Sequence, residues 1–455
     1  MPKKKTALTI EERLQQALVP AEEQPYEVPE NWVWVRLGEV VDVLNGDRGK
    51  NYPAKSTLSK EGIPFISAAN LCDNIVVEDD LLCMSEEQYS KLSAGKLMLN
   101  DIVLCIRGSL GKHGKFPFKK GAIASSLVIL RSKDRGRLTD GYVMQYLDVP
   151  LFYDEIKKYD NGTAQPNLAA KNLELFSFPL PPLSEQQRIV ERIEELFAKL
   201  DEAKERLQEV ADSFAVRKAA ILHKAFTGEL IGKKIEQLVP LESLVDLIKI
   251  GPFGSALHES DYIENGIPLV NPKHIVQQHI VPQSKISISE EKAEELSSYR
   301  LKANDIVLGR RGEMGRCAPV SAREENWICG TGSMIIRLKE EYDARLYSLI
   351  LGSQATVTYL ENSAVGSTLK NLNEKIVRKI PVPQFDIEEQ HEIVRLIDDL
   401  LARERAAQQA TEQALASIDL MKKSILARAF RGELGTNKAS EASALELLKQ
   451  VLAEG

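Results

Sequence analysis

The sequence predicts an α+β protein in which two β-rich domains form a tandem repeat and are separated by two long antiparallel coiled-coil helices. The first supporting observation is a repeat, because Asn100-Asp101-Ile102-Val103-Leu104 returns unchanged 204 residues later, from Asn304 to Leu308. The second is a set of short apolar runs, bounded by turn residues, in each copy. The third is a long segment after each set, in which apolar residues alternate at spacings of four and three.

Two further motifs recur at the same offset. The string Arg107-Gly108-x-x-Gly111 returns as Arg311-Gly312-x-x-Gly315, and Phe226-x-Gly228-Glu229-Leu230 returns as Phe430-x-Gly432-Glu433-Leu434. A duplicated chain presents two similar surfaces in one polypeptide, which suits an extended, two-part, asymmetric ligand. Duplex DNA is the obvious ligand of this kind.

The strands of the two β-rich domains are expected at apolar runs between Gly, Asn and Asp turns. In the first copy the runs are Trp32–Val35, Ile102–Ile106 and Leu127–Leu130, and in the second they are Ile306–Leu308 and Met334–Leu338. Proline clusters at 179–182 and 381–383 end the two domains and precede the long helices.

The first long helix is expected from about Ser184 to Phe226, a length of some 60 Å at 1.5 Å per residue. Its apolar seam is Ile189, Ile193, Leu196, Leu200, Ala203, Leu207, Val210, Phe214 and Ile221. The second helix keeps this register from Ile393 to Ile425, but Glu404 and Thr411 fall on its seam. A partly polar seam suits an apolar partner helix in the same chain better than a homodimer. We therefore expect an intramolecular antiparallel pair that holds the two domains apart; packing of each helix on its own domain is the alternative.

These signals divide the chain into six expected segments. They are an N-terminal helix and connector (1–31), a first β-rich domain (32–181), a first helical spacer (182–230), a second β-rich domain (231–383), a second helical spacer (384–434) and a C-terminal tail (435–455). Short helices are expected around Ile10–Leu18 and Ala444–Leu452.

Composition places limits on the class of protein. With 455 residues, 43% of them hydrophobic, and no apolar run of the roughly 20 residues that span a bilayer, the chain is expected to be soluble, cytoplasmic and without a membrane partner. Five cysteines without C-x-x-C spacing indicate reduced core thiols, not a disulfide framework or a zinc site.

The net charge of −7 argues against a nucleic-acid ligand, but the average conceals a basic stretch from Arg107 to Arg137. That stretch holds nine basic residues against the single acid Asp134, and glycines punctuate it. A solvated charge run is the alternative interpretation. The glycines favour close approach of the backbone to a polyanion.

The motifs of catalysis are missing from the sequence. It contains no phosphate-binding G-x-x-x-x-G-K-[ST] loop, no dinucleotide fingerprint, no Asn-Pro-Pro-aromatic box and no G-x-S-x-G elbow, and its six histidines lack metal-ligand spacing. The sequence therefore predicts a non-catalytic protein without a cofactor or a metal.

The combined motifs resemble a specificity (S) subunit of a type I restriction-modification system, over nearly the whole chain. The matching strings are Tyr26 to Gly38, Gly-Ile-Pro at 62–64 and 266–268, the Asn-Asp-Ile-Val-Leu pair, Pro182 to Val190, and the two Phe-x-Gly-Glu-Leu strings. The second helix start, Phe385 to Val394, keeps Glu389-Gln390 but lacks the proline-leucine-serine lead. Docking at the two helices is therefore expected to be similar but not identical.

The resemblance implies that segments 32–181 and 231–383 are target-recognition domains, each reading one half of a bipartite asymmetric site in double-stranded DNA. It implies that the two helices dock two methylation subunits, which carry adenine methylation with S-adenosylmethionine. Restriction subunits, which carry ATP-driven translocation and cleavage, would join through the complex.

Candidate DNA-contacting residues are basic and polar side chains on glycine-rich loops at equivalent places in both copies, because such side chains read base edges and hold phosphates. In the first copy they are Arg48, Lys50, Asn51, Tyr52, Ser67, Asn70, Arg107, Ser109, Lys112, His113, Lys115 and Gln165. In the second they are Ser255, His258, Asn271, Lys273, His274, Arg310, Arg311, Glu313, Arg316 and Lys370. For each loop the competing interpretation is a surface turn or a capped strand end.

One other class of protein fits the same pattern. A coiled-coil scaffold whose β-rich domains bind protein or carbohydrate would share the repeat and the helices, and the acidic net charge supports it. Sequence-independent or absent DNA binding would distinguish it.

Overall fold

The computed structural model describes residues 9–160, 166–363 and 371–454. The chain forms two compact units, one made of Met1–Arg206 with Ala414–Gly455 and the other of Leu207–Gln413. Each unit combines a β-rich domain with parts of both long helices. The predicted α+β class is confirmed.

The first unit contains two larger sheets. Its strands are β1 (Val33–Arg36), β2 (Val41–Asn45), β3 (Ile63–Ile66), β4 (Leu71–Cys72), β5 (Asn74–Val76), β6 (Leu82–Met84), β7 (Lys96–Met98), β8 (Ile102–Cys105), β9 (His113–Lys115), β10 (Lys120–Ile123), β11 (Leu127–Ser132) and β12 (Ser177–Leu180). One sheet has the order β2-β11-β8-β9-β5-β4 and the other β6-β3-β10-β7, while β1 pairs with β12. The expected runs at Ile102 and Leu127 form the adjacent strands β8 and β11 at the centre of the first sheet.

The helices of the first unit lie before, between and after these strands in the chain, and several of them share one core with β8 and β11. They are α1 (Ile10–Ala17), α2 (Leu37–Val40), α3 (Glu86–Lys91), α4 (Asp140–Tyr146), α5 (Pro150–Tyr159), α6 (Ala170–Leu173) and the long α7 (Leu183–Phe226). Tyr142 and Tyr146 of α4 and Phe152 of α5 are fully buried together with Phe178 of β12 and Phe176 just before that strand. These rings form the aromatic centre of the core.

The second unit repeats the same design. Its strands are β13 (Val239–Pro240), β14 (Val245–Ile250), β15 (Ile267–Val270), β16 (Ile275–Val276), β17 (His279–Ile280), β18 (Ser287–Ile288), β19 (Asp305–Gly309), β20 (Cys317–Pro319), β21 (Ile328–Cys329), β22 (Ser333–Leu338) and β23 (Pro381–Val382). The sheet orders are β14-β22-β19-β20 and β18-β15-β21, with β13 paired to β23 and β16 to β17. The helices that follow α7 in the chain are α8 (Glu290–Glu295), α9 (Ala344–Leu351), α10 (Gln354–Ser363), α11 (Glu374–Arg378), α12 (Ile387–Ala429) and α13 (Ala444–Glu454).

The repeated Asn-Asp-Ile-Val-Leu motif builds the same buried ion pair in both units. Asn100 and Asn304 both have φ of 68°, which turns the chain into the central strand. The next residue is a buried aspartate: Asp101 accepts hydrogen bonds from Arg131 at 2.9 and 2.6 Å, and Asp305 accepts them from Arg337 at 2.7 Å each. The fold therefore explains why the motif is the same in both copies.

The start of each long helix is tied to its own domain by a buried glutamine. Gln186 accepts from the Thr139 amide and donates to the Arg137 and Pro181 carbonyls. Gln390 makes the same three contacts, with the Asp343 amide and the Glu341 and Phe385 carbonyls. The absence of a proline-leucine-serine lead before the second helix does not change this contact set.

The long helices pair antiparallel within each unit. In the first unit Asp201 of α7 contacts Lys422 of α12 at 2.5 Å, and Lys204 of α7 contacts Asp419 of α12 at 3.6 Å. Residue numbers therefore increase along α7 in the direction in which they decrease along α12. In the second, Glu404 accepts from Arg217 at 3.0 and 3.1 Å. The polar residue expected to weaken the seam is therefore paired across it.

The C-terminal tail packs on the first unit. Arg188 of α7 donates to both carboxylate oxygens of Glu441 at 2.9 and 2.8 Å, and the Ala444 amide donates to the Asn31 carbonyl at 2.9 Å. Cys83, Cys105, Cys317 and Cys329 are buried free thiols, as expected, whereas Cys72 is exposed and not a core residue. No helix in the described ranges is both long enough and apolar enough to cross a membrane.

Candidate nucleic-acid interface

Five loops meet at one end of the sheets in the first unit, and we call them the first five-loop surface: 46–52, 67–70, 107–112, 124–126 and 166–168. Loop 124–126 lies at the centre. The Ala124 amide donates to the Ile66 carbonyl at 2.7 Å, and the Ile106 amide donates to Ser126 at 3.0 Å. Arg48 donates to the Ser125 carbonyl at 3.4 Å. These bonds bring the loops that follow β2, β3 and β8 together.

The remaining contacts complete this surface. Lys112 Nζ donates to the Ala68 carbonyl at 3.0 Å, which joins the second and third loops. The Leu168 amide donates to the Ile106 carbonyl at 2.9 Å, and Arg107 Nε donates to Asn167 Oδ1 at 3.1 Å. The Arg107 guanidinium is thereby oriented while it stays exposed.

The second unit has an equivalent surface, the second five-loop surface, formed by loops 251–258, 271–274, 310–316, 330–332 and 371–372. A Cβ atom on Gly251 would overlap the Gly330 carbonyl oxygen, so the first loop lies directly against 330–332. The Gly332 amide donates to Asn271 Oδ1 at 3.4 Å, and the Arg310 amide donates to Gly332 at 2.8 Å. The Leu372 amide donates to the Arg310 carbonyl at 3.0 Å.

Each surface includes one loop that the sequence analysis missed. Loops 124–126 and 330–332 hold the half-buried residues Ser125, Ser126 and Thr331. The glycines on both sides of Thr331 were a usable signal, since paired glycines mark close backbone approach. The serine pair in the first copy carries no comparable signal.

Most of the candidate cations are exposed on these surfaces. On the first they are Arg48, Lys50, Arg107 and Lys112, and on the second they are Lys273 and Arg311, with Arg310 and Arg316 half-buried. Glu313 forms an ion pair with Arg316 on the same loop. Asp47 lies on the first surface, so each surface carries four cations and one carboxylate.

Three candidates are buried, which corrects the expectation that they contact a ligand directly. Asn70 caps its own turn by accepting from the Ser67 amide at 3.0 Å. His113 Nδ1 lies 2.8 Å from the Gly111 carbonyl, and His274 Nδ1 lies 2.8 Å from the Leu269 carbonyl. Burial lowers the pKa of His274, so it is a neutral packing residue and not a phosphate contact.

Lys115 is also displaced from the surface. It pairs with Ile102 at the start of β8, whereas the loops gather at the end of that strand. The basic stretch is divided in the same way, because Lys133, Arg135 and Arg137 follow β11 at its far end. Arg135 contacts Asp101 and Asp140 there, and Arg137 contacts Asp134. The stretch is therefore not one continuous basic surface.

The other candidates differ in how freely they are presented. Ser109, Asn51 and His258 are exposed, although Asn51 donates to the Lys91 carbonyl at 2.9 Å. Ser67 and Asn271 are half-buried, and the Tyr52 ring packs edge-on against Phe65. Gln165 and Lys370 lie outside the described residues, as does the side chain of Ser255.

Comparisons with known proteins agree on one family. The family model "Type I restriction modification DNA specificity domain" matches residues 29–212 and 242–415. The chain is 28% identical to the type I restriction enzyme EcoBI specificity subunit of Escherichia coli, over 94% of this chain and 93% of that protein. It is 24% identical to the EcoKI specificity subunit of Escherichia coli strain K12, over 94% and 96%. The HsdS subunit from Thermoanaerobacter tengcongensis shares the fold with a TM-score of 0.64 at 19% identity, over 90% and 100% of the two chains.

Proposed function

Because the chain belongs to the family of type I restriction modification DNA specificity domains, we propose that its two five-loop surfaces each read one half of a bipartite, asymmetric DNA site. The chain itself is a non-catalytic specificity subunit. The observation that carries the proposal is the double occurrence of one loop arrangement, held by equivalent backbone bonds and lined by different side chains. Family membership also decides against the carbohydrate-binding or protein-binding scaffold.

The side chains that differ between the two surfaces are the base readers in this proposal. Ser109 stands where the second copy has Glu313, and Lys112 stands where it has Arg316. Lysine and arginine suit guanine, serine suits any base, and a carboxylate accepts from the amino group of cytosine. Arg107 and Arg311 occupy the same repeat position, so they serve both halves as phosphate contacts.

The long helices dock two methylation subunits, one on each unit, and restriction subunits join through that complex. Val216 on α7 is 70% exposed and Leu420 on α12 is 67% exposed, and they occupy the same repeat position. A large apolar side chain exposed on a helix suits the core of a protein interface. Because each unit carries one of these equivalent residues, each unit can bind one copy of the same methylation subunit.

The docking proposal is tested by Val216→Asp and Leu420→Asp. Each single variant should copurify with one methylation subunit and the double variant with none, as measured by native mass spectrometry of the assembled complex. Leu99→Asp is the matched control, because Leu99 is an exposed apolar residue away from the helices. Two methylation subunits bound to either single variant would contradict the proposal.

The recognition proposal is tested by long-read methylation mapping of cells that carry or lack this protein. A bipartite motif with methylated adenines should vanish when the gene is deleted and return when it is restored. Variants in one five-loop surface should alter one half of the motif only. Unchanged methylation after deletion would count decisively against the proposal.

A further inference from the structure

Phe253 is a large apolar side chain held out from the second five-loop surface. It is 67% exposed and belongs to no apolar core cluster among the described residues. Gly251 before it lies against the Gly330 carbonyl with no room for a Cβ atom, and Gly254 after it has φ of 64°. The loop is thus anchored on one side and sharply turned on the other, with the phenyl ring at its tip.

The first unit carries a different kind of side chain at the equivalent position. Val128 pairs with Leu104 and Met334 pairs with Leu308, the same residue of the repeated motif, so Val128 and Met334 are equivalent. Strand β2 ends at Asn45, opposite Val128, and strand β14 ends at Ile250, opposite Met334, so Gly46 corresponds to Gly251. Arg48 is therefore the counterpart of Phe253. One loop position thus carries an exposed guanidinium in one copy and an exposed phenyl ring in the other.

We propose that Phe253 is a specificity-determining residue that contacts the C5 methyl group of a thymine in the half-site read by the second surface. This inference rests on the proposed function. Thymine is the base whose major-groove edge carries a methyl group, and a phenyl ring is one of the side chains that pack against it. A ring without hydrogen-bonding atoms has no use for a phosphate or for the polar edges of the other bases.

Deoxyuridine provides the test, because it removes the methyl group and leaves the hydrogen-bonding edge of the base intact. The complex of the full chain with its methylation subunits is titrated with duplexes of the mapped motif, in which each thymine is replaced in turn. Wild type should lose about four-fold in affinity at one position of one half-site, the value for burying one methyl group. Phe253→Ala should bind the unsubstituted duplex at least as weakly as wild type binds the substituted one, with no further loss on substitution.

Two control variants separate the contact from general apolar effects. Phe253→Leu should retain sensitivity to the methyl group. Leu238→Ala, which removes another exposed apolar side chain of the second unit, should leave both affinity and methyl sensitivity unchanged. Wild-type binding that ignores the methyl group at every thymine would overturn the inference, as would full methyl sensitivity in Phe253→Ala. A complex that binds without sequence preference would instead overturn the proposed function.

Discussion

Replacing Arg107 by alanine should remove one phosphate contact from the first five-loop surface. The guanidinium is exposed, and its Nε donates to Asn167 Oδ1 at 3.1 Å, so the side chain is oriented before DNA binds. Each phosphate neutralised contributes about 0.9 to the slope of log affinity against log salt concentration. The slope of the variant should therefore be about 0.9 smaller, a difference of about 3.5-fold in the loss of affinity between 50 and 200 mM salt.

The structure supplies a matched control from the same basic stretch. Lys133 is also exposed, but it follows β11 at the end opposite loop 124–126, about 20 Å away at 3.3 Å per residue. Lys133→Ala removes the same charge from the protein and should leave the slope unchanged. Arg107→Lys keeps the charge and should restore the slope.

Fluorescence anisotropy measures the affinity of the assembled complex for a DNA duplex at several salt concentrations. The duplex contains the motif found by methylation mapping. If Arg107→Ala leaves the slope unchanged, the guanidinium does not contact phosphate. If Lys133→Ala lowers it equally, the effect comes from net charge and the five-loop surface has no special part in it.

Two further predictions concern stability. Asp305→Asn should lower the free energy of unfolding by about 2–3 kcal/mol, because it weakens two hydrogen bonds that Arg337 donates. The side chain of Arg337 is 24% exposed, so the loss is smaller than for a fully buried ion pair. Urea titration measures the change. An unchanged midpoint would show that the pair contributes nothing. Burial raises the pKa of the Glu155 carboxyl, so ionisation of this group lowers the stability of the folded state as the pH rises above the pKa of the unfolded state. Glu155→Gln removes the ionisable group and should therefore raise Tm at pH 7 and not at pH 4. Equal shifts at both pH values would refute that cause.

The architecture could be predicted because its signals are local. The central strands lie at the expected apolar runs, and the first long helix begins at Leu183, one residue before the expected start. Periodicity and turn residues act through neighbours in the chain, so they can be interpreted without the fold. The contact of Arg217 with Glu404 could not be foreseen, because pairing across the seam depends on the register of two helices far apart in sequence.

The candidate site was harder to predict for a related reason. Asn70 and His274 follow strands as Arg107 does, and His113 begins strand β9, yet the fold turns all three of these candidate side chains inward. The direction of a side chain on a turn depends on tertiary packing, which sequence spacing does not encode. The basic stretch was wrongly taken as one surface for the same kind of reason. The six-residue strand β11 separates its two parts and places them at opposite ends of the strand.

The contacts that hold each unit together and the side chains proposed to read DNA are separate sets. In the first unit, the ion pair of Asp101 with Arg131 and the hydrogen bonds of Gln186 involve none of the exposed loop side chains. Exposed substitutions away from such contacts usually change stability by less than about 0.5 kcal/mol. Loss of affinity in Arg107→Ala or Phe253→Ala should therefore occur without loss of stability, whereas Asp305→Asn should lower both. The same separation explains how one scaffold can carry an arginine and a phenylalanine at one loop position without a change of fold.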